Sequence, residues 1–253
     1  MYFLLSHYSA GILCLVFVVA SILITCTGLF LLKRVISYET LRANHEVTGI
    51  VFGSISLIYT LVLAFVIIAV WNDYEELNNT IEKEADKLSA ILVHTEELPD
   101  SLARPIQNVV HEYAQLMVQN EWQTESNKRI SNVYLQRLRQ TLYKFQPSKE
   151  SEQKILDVID EELSDAADLR RELLNHDHSH VPGLVWMILI AGTMITIICS
   201  YLFFVEPKHL HYLFIALLTC MIAMSLFLVY MLDHPFEGST HVSSIPLEQL
   251  YSH

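Results

Sequence analysis

Four stretches of this sequence run for 21 to 23 residues without a single Asp, Glu, Lys or Arg. They are residues 11–32, 49–71, 184–205 and 212–232. A helix needs about 20 residues to cross the roughly 30 Å hydrocarbon core of a bilayer, so each stretch is long enough to span it. A helix also satisfies its own backbone hydrogen bonds, which lipid cannot do. We therefore predict an all-α protein with four transmembrane helices.

The charged residues are concentrated between the second and third of these runs. Although 52% of the chain is hydrophobic, its formal net charge is −12. Residues 72–182 hold 22 of the 28 acidic residues and 12 of the 16 basic residues, which gives this part a net charge of −10. The pattern predicts a soluble insert at 72–182 between two membrane segments, 1–71 and 183–232, with a C-terminal tail at 233–253.

Apolar residues recur at helical spacing throughout the insert, so we expect it to be all-helical. The four stripes are Leu77, Ile81, Leu88 and Leu92; Ile106, Val110, Tyr113 and Met117; Leu135, Leu138, Leu142 and Phe145; and Ile155, Ile159, Leu163, Ala166 and Leu173. Residues 54–98 contain no Gly or Pro. We therefore expect the second span to continue into the insert as one helix, from Gly49 to about Glu97. The acidic run that follows the span, "YEELNNTIEKEAD", is predicted to be a solvated helix face.

An even number of spans places the N-terminus, the insert and the tail on one side of the membrane and the loops 33–48 and 206–211 on the other. The loops carry Lys33, Arg34, Arg42 and Lys208. By the positive-inside rule, the loops are then cytoplasmic and the insert is exported. Four basic residues count against this orientation, because they lie within about 20 residues of the membrane on the insert side; they are Lys83, Lys87, Arg170 and Arg171.

A histidine-rich stretch, "NHDHSHVPG", stands directly before the third span. Pro182 disfavours helix at the preceding residue, so the stretch is first of all a predicted helix end. Its three histidines, His176, His178 and His180, leave two further hypotheses open. They could form part of a metal site, although on a helix they diverge and zinc needs three or four converging ligands. They could also form a cluster that responds to pH, because free histidine titrates near neutrality.

The second span carries a stripe of small or weakly polar residues on one face. Gly49, Gly53, Ser56, Thr60 and Ala64 recur at intervals of three or four residues. Gly-x-x-x-Gly is a pattern for close packing of membrane helices, so one interpretation is helix–helix contact. The other is that copies of this helix surround an axis and expose the stripe to ions as a pore lining.

Two parts of the sequence resemble the bacterial bestrophin-like membrane family, which is known as a domain of unknown function. The first, "HEVTGIVFGSISLIYTLVLAFVIIAVWNDYEEL", contains His45, Thr48, Gly49, Tyr59, Ala64 and Trp71. The second, "LDHPFEG", contains Asp233, Pro235, Phe236 and Gly238 in a D-x-P-F motif. The order of two spans, helical insert, two spans and tail extends the resemblance over essentially the whole chain. His234 stands where this family is expected to carry a basic residue.

The resemblance implies, by a more distant analogy, the architecture of bestrophin channels. Bestrophins are pentameric anion channels with four membrane helices per subunit and helical cytoplasmic domains. The analogy implies a ring-like homo-oligomer, a pentamer, that conducts inorganic ions across the bacterial cytoplasmic membrane. It also implies a cytoplasmic insert, which is the opposite of the orientation that the positive charges favour. This sequence lacks the aromatic-rich neck and the acidic calcium clasp of bestrophins, so ion selectivity stays open.

The insert's acidity bears on which functions to expect. If the insert is repeated around an axis, its net charge of −10 would concentrate cations rather than anions. The insert also lacks the basic patch that nucleic-acid binding needs. The alternative to a channel is a non-conducting scaffold or stress sensor that recruits partners through the insert. We expect no enzyme and no cofactor, because the chain has no phosphate-binding glycine loop and no G-x-S-x-G, H-E-x-x-H or C-x-x-C motif.

Overall fold

The structure is a computed structural model that describes residues 10–35, 41–42, 45–119, 124–145, 147, 149–176, 181–235, 245–248 and 250. Within these ranges the regular structure is entirely helical, which confirms the all-α prediction. The helices are α1 (Ala10–Val35), α2 (His45–Thr95), α3 (Asp100–Gln119), α4 (Thr124–Lys144), α5 (Glu150–His176), α6 (Gly183–Tyr201), α7 (Lys208–Asp233) and the short α8 (Ile245–Glu248).

Helices α1, α2, α6 and α7 are long and apolar enough to cross a membrane, as the uncharged runs predict. The third of them is shorter than its apolar run, because α6 ends at Tyr201 rather than near residue 205. The backbone N–H groups of Leu202 and Phe203 donate to the carbonyls of Cys199 and Ser200, which closes the last turn. The helix nevertheless contains 19 residues, about 28 Å at 1.5 Å per residue, close to one bilayer core.

The second span does continue into the insert. Helix α2 is a single helix of 51 residues that begins at His45, four residues before the predicted start. It ends at Thr95, whose hydroxyl donates to the carbonyl of Leu92 at 2.6 Å, and Pro99 follows shortly. At 1.5 Å per residue its length is about 75 Å, more than twice the thickness of a bilayer core.

The chain divides into two compact units. One contains Met1–Asp73 and His180–His241 and holds the apolar spans. The other contains Tyr74–Ser179 and Val242–His253 and holds most of the charged residues. We call them the spanning unit and the insert unit.

Polar contacts join the helices of the spanning unit at a few points where small residues let them approach. Helix α1 packs along α7, and the Thr219 hydroxyl on α7 donates to the Thr25 hydroxyl on α1 at 3.1 Å. The Tyr201 hydroxyl at the end of α6 donates to the Thr25 backbone carbonyl at 2.7 Å. All three helices therefore meet at one threonine, in the way that small polar residues join membrane helices.

The insert unit has a hydrophobic core built from the predicted stripes. Its buried residues include Leu88 and Ile91 of α2, Ile106, Val110, Tyr113 and Met117 of α3, Leu138 and Leu142 of α4, and Ile159, Leu163 and Ala166 of α5. The tail contributes to the same core, because Leu247 on α8 is completely buried and packs with these residues.

The position of Leu247 constrains the membrane topology. This residue follows α7 in sequence, yet it lies in the core of the insert, which precedes α6. A segment that packs into the insert must lie on the same side of the bilayer as the insert. The two candidate spans α6 and α7 between them satisfy this constraint, because two crossings return the chain to the same side.

Replacing Leu247 with Ala should destabilise the insert unit. Truncating a fully buried leucine costs about 2–5 kcal/mol through lost burial and the cavity that remains. We expect faster proteolysis of the insert and a lower unfolding midpoint for the purified protein. Val93, which is 58% exposed on the insert unit, is the control, because Val93→Ala removes apolar atoms without opening a cavity. Equal effects of the two substitutions would contradict the docking of the tail.

Candidate functional site

In the described part of the structure, most of the small-residue stripe of α2 is exposed. Gly53, Thr60 and Ala64 are exposed, whereas Gly49 and Ser56 are half-buried. A Cβ atom added to Gly53 would meet no atom within 4 Å. The Ser56 hydroxyl donates to the carbonyl of Phe52 at 2.6 Å, so its hydrogen is satisfied on its own helix. Three of the five stripe residues are therefore available to a second copy of the chain or to water.

A different face of α2 packs against the other spans. Tyr59, Leu63 and Val70 are buried in a cluster with residues of α6 and α7. The Tyr59 hydroxyl lies 2.7 Å from the Thr193 hydroxyl on α6. A Cβ atom added to Gly192 would clash with the Tyr59 ring, because it would lie 2.7 Å from Cε2. Gly192 thus allows α2 and α6 to approach closely, which gives Tyr59 of the family motif a structural role.

The same arrangement occurs between α6 and α1. A Cβ atom added to Gly28 would lie 2.8 Å from the Tyr201 hydroxyl oxygen, which donates to the carbonyl of Thr25. In both pairs, Tyr59–Gly192 and Tyr201–Gly28, the tyrosine ring packs over the glycine. The tyrosine hydroxyl forms a hydrogen bond with a threonine on the neighbouring helix. Such contacts suit spans in lipid, where apolar surface alone gives no reason for one helix to prefer another. Neither glycine stood out in the sequence, because a lone glycine in an apolar run has several interpretations.

Asp233 of the D-x-P-F motif joins the end of α7 to the start of α6. Its side chain is buried, and Oδ1 accepts the backbone N–H of Val181 at 2.6 Å. Its Oδ2 accepts the indole Nε1–H of Trp186 at 3.2 Å. Pro182, at the N-cap of α6, has no capping side-chain hydrogen bond. Asp233, which is 52 residues after Val181 in sequence, therefore supplies a hydrogen-bond acceptor and a negative charge near the positive N-terminal end of α6.

Aromatic rings surround this carboxylate. The Trp186 ring meets Tyr230 edge-on at 6.5 Å between centroids, and Tyr230 stacks on His234 at 4.5 Å. The Nδ1 atom of His234 lies 3.0 Å from the Tyr230 carbonyl. Pro235 is half-buried and follows directly. The motif thus closes one end of the α6–α7 pair, while Phe236 and Gly238 lie outside the described residues.

The remaining motif residues of the second span have different surroundings. Helix α2 begins at His45, whose side chain lies outside the described part of the structure. Thr48 is half-buried. Trp71 is 52% exposed near the end of the apolar run, as is common for tryptophan at a membrane interface.

The histidine stretch lies between the end of one helix and the start of the next. Helix α5 ends at His176, and α6 begins at Gly183. The side chain of His176 and all of His178 and His180 lie outside the described residues. The metal-site and pH-sensing hypotheses for these histidines therefore remain predictions.

One prediction about the acidic run after the second span is wrong. Glu84 is not solvated, because its side chain is completely buried in the insert unit. Its Oε2 lies 2.7 Å from Nη2 of Arg170, and its Oε1 accepts the Tyr113 hydroxyl at 2.6 Å. The Nε–H of Arg170 donates to Glu84 Oε1 at 2.9 Å and to the Tyr113 oxygen at 2.8 Å. The sequence gives no signal for this triad, because the partners lie 29 and 86 residues from Glu84.

Electrostatics holds Tyr113 and Arg170 each in one protonation state. Burial lowers the pKa of the Arg170 guanidinium, but the adjacent Glu84 carboxylate more than offsets that, so the pKa is raised overall. Burial raises the pKa of the Tyr113 phenol well above its ordinary value, and Glu84 adds to the effect. Tyr113 therefore stays a donor and Arg170 a cation over the whole neutral range. The triad is a buried connection between α2, α3 and α5.

Single substitutions in the triad should be far more damaging than a double one. Removing one partner of a buried ion pair leaves an uncompensated charge, which costs about 3–5 kcal/mol, whereas replacing both partners with apolar residues is often neutral. We expect Glu84→Leu and Arg170→Met each to lower the free energy of unfolding by that amount and the double variant to recover most of it. A double-mutant cycle measured by chemical unfolding checks this.

A matched control comes from an exposed pair in the same unit. Arg104 and Asp100 form an ion pair on the surface of α3, with side chains 73% and 81% exposed. Exposed pairs contribute at most about 1 kcal/mol, so Arg104→Met should have little effect. If the loss in the double variant Glu84→Leu/Arg170→Met equals the sum of the two single losses, the two residues are not coupled. That result would contradict the role given to the buried ion pair.

Gly192 gives a second prediction, for the contact between α2 and α6. Gly192→Ala should destabilise the spanning unit by about 1–3 kcal/mol, because the added methyl group forces the buried Tyr59 ring to move. Gly183→Ala on the same helix is the control, since its Cβ would meet nothing within 4 Å. Thermal unfolding in detergent measures both. The double variant Tyr59→Leu/Gly192→Ala should lose less than the sum of its parts, and strict additivity would contradict the contact.

Comparison with known protein families assigns the chain to one of them. A family model described as the bestrophin-like domain matches residues 19–247, nearly the whole chain. No curated protein and no solved structure matches it. The match includes part of the first span, the other three spans, the whole insert and both sequence motifs, and it shows that this chain belongs to the bestrophin-like family of membrane proteins.

Proposed function

We propose that this protein is the subunit of a homo-oligomeric ion channel in which copies of α2 surround the conduction path. The observation that carries the proposal is the exposed stripe on α2. Gly53, Thr60 and Ala64 lie outside the contacts that hold the four spans of one chain together. Large apolar side chains face outward elsewhere on this helix, as expected of a surface in contact with lipid, and the stripe interrupts them with small and hydroxyl-bearing residues.

The stripe has the chemistry that a narrow ion path needs. Small side chains leave room along an axis, and hydroxyl groups offer oxygen atoms to a partly dehydrated ion. The contact face of Tyr59 and Leu63 keeps α2 fixed against α6 and α7. One subunit cannot enclose a path with a single exposed face, so the function requires several copies. The bestrophin-like family membership favours a closed ring, and a pentamer is the expected number.

The charge of the insert supports cations as the conducted ions. Residues 72–182 carry a net charge of −10. Several of the basic residues are committed to ion pairs, as Lys87 is to Glu162 and Asp165 at 2.9 and 2.8 Å. Repeated in each subunit, the excess of carboxylates would attract cations to that side of the membrane and repel anions. We therefore propose a preference for potassium or sodium over chloride.

Introducing a bulky side chain on the stripe should block conduction. Thr60→Phe places a ring on the proposed path, and we expect at least a tenfold loss of single-channel conductance in planar bilayers. Ile58→Phe is the matched control, because residue 58 points about 200° away around the helix and is 66% exposed on another face. A potassium chloride gradient across the same bilayer gives the selectivity, and the reversal potential should lie near that of potassium.

Two results would contradict the channel. Wild-type protein that forms a stable complex in detergent but passes no current at any voltage or in any salt would favour the scaffold or stress sensor instead. Equal loss of conductance in Thr60→Phe and Ile58→Phe would place the conduction path elsewhere. A monomeric mass in nanodiscs would exclude a path formed by α2 from several subunits.

A further inference from the structure

The insert unit contains a cavity of about 400 Å³ between α4 and α5. This volume lies in the usual range for small-ligand sites, about 300–1,000 Å³. Its wall is apolar where Leu135, Leu163 and Leu174 line it, and Leu163 is 1% exposed. The cavity is therefore wide enough, and apolar enough on one side, for an organic molecule.

The polar part of the wall is basic, in contrast to the rest of the insert. Arg139, Arg170 and Arg171 line the cavity, together with the amide side chains of Gln136 and Asn175. No acidic residue belongs to the lining among the described residues, although acids outnumber bases by 22 to 12 in residues 72–182. A surface with this composition selects for a negatively charged ligand.

Two of the arginines are held only by contacts at the protein surface, and the third is held in the core. Arg171 forms an ion pair with Asp168 at 3.0 Å on the protein surface, with side chains 73% and 71% exposed. Arg139 lies 3.7 Å from Asp160, with side chains 45% and 36% exposed, and its Nη2–H donates to the Ser164 hydroxyl at 3.0 Å. Exposed ion pairs of this kind contribute little to stability, so exchanging them for a ligand carries a small cost. Arg170 is held by Glu84 and Tyr113 and provides a fixed part of the wall.

We propose that this cavity binds a small organic anion whose carboxylate groups pair with Arg139 and Arg171 and whose hydrocarbon body lies against Leu135, Leu163 and Leu174. The planar guanidinium fork matches a carboxylate with two parallel hydrogen bonds. The amide groups of Gln136 and Asn175 supply further donors at the exposed edge. Because Arg139 lies on α4 and Arg171 on α5, the bound anion bridges the two helices and stabilises the insert unit.

Suberate, a linear eight-carbon dicarboxylate, is the probe for this site, measured by calorimetry on the full-length protein in nanodiscs. We expect saturable binding and a raised unfolding temperature. Two matched probes separate the parts of the ligand: 1,8-octanediol has a similar body without charge, and sulfate has the charge without the body. Both should bind at least tenfold more weakly. The measurement records no current, so its outcome is separate from that of the channel.

Variants locate the site. Arg139→Gln/Arg171→Gln should weaken suberate binding at least tenfold while the helical content is retained. Arg104→Gln/Lys154→Gln is the control with the same charge change. Arg104 forms an exposed ion pair with Asp100 within α3, and Lys154 forms one with Glu150 within α5. This control should change the affinity for suberate less than twofold. No saturable binding of suberate, binding of sulfate as tight as that of suberate, or equal weakening in both double variants would each overturn the proposal.

Discussion

In hydrocarbon, no backbone N–H or C=O group can be left without a partner in the chain, and this constraint determines most of what the structure shows. It requires each crossing to be a helix, and it turns hydroxyl side chains back onto their own helices, as Ser21, Thr27 and Ser225 do with carbonyls four residues earlier. Specific contact between spans then depends on a few places. The two tyrosine–glycine pairs and the carboxylate of Asp233 are such places in this chain.

Features that repeat along the sequence were predictable, and features that depend on a distant partner were not. Uncharged runs predicted the four spans, and the absence of Gly and Pro predicted that α2 continues into the insert. The amphipathic stripes predicted the insert core. The end of α6 was misplaced because hydropathy does not show a helix end at Tyr201 within a run that stays apolar. Glu84 was misassigned because an acidic residue in an acidic run looks solvated unless its partner is known.

The candidate site was predictable only in outline. The small-residue stripe and the two family motifs were visible in the sequence, but which face of α2 packs within the chain was not. Tyr59 interrupts the apolar run with one polar atom, and its meaning depends on Gly192 and Thr193 more than 130 residues later. Asp233 is similar, because the groups it binds begin at Val181. The structure separates two faces of the second span: the Tyr59 face packs against α6 and α7, and most of the stripe beside it is exposed.

The tail that ends in the insert core has a consequence for biosynthesis. The ribosome releases Tyr74–Ser179 well before it reaches Leu247, so the insert emerges with a gap in its core. That gap can be filled only after α6 and α7, which precede Leu247 in sequence, have been synthesised. Completion of the insert core therefore depends on synthesis of both later helices, and a chain arrested before α7 would present an unfinished apolar surface to the quality-control proteases of the cell.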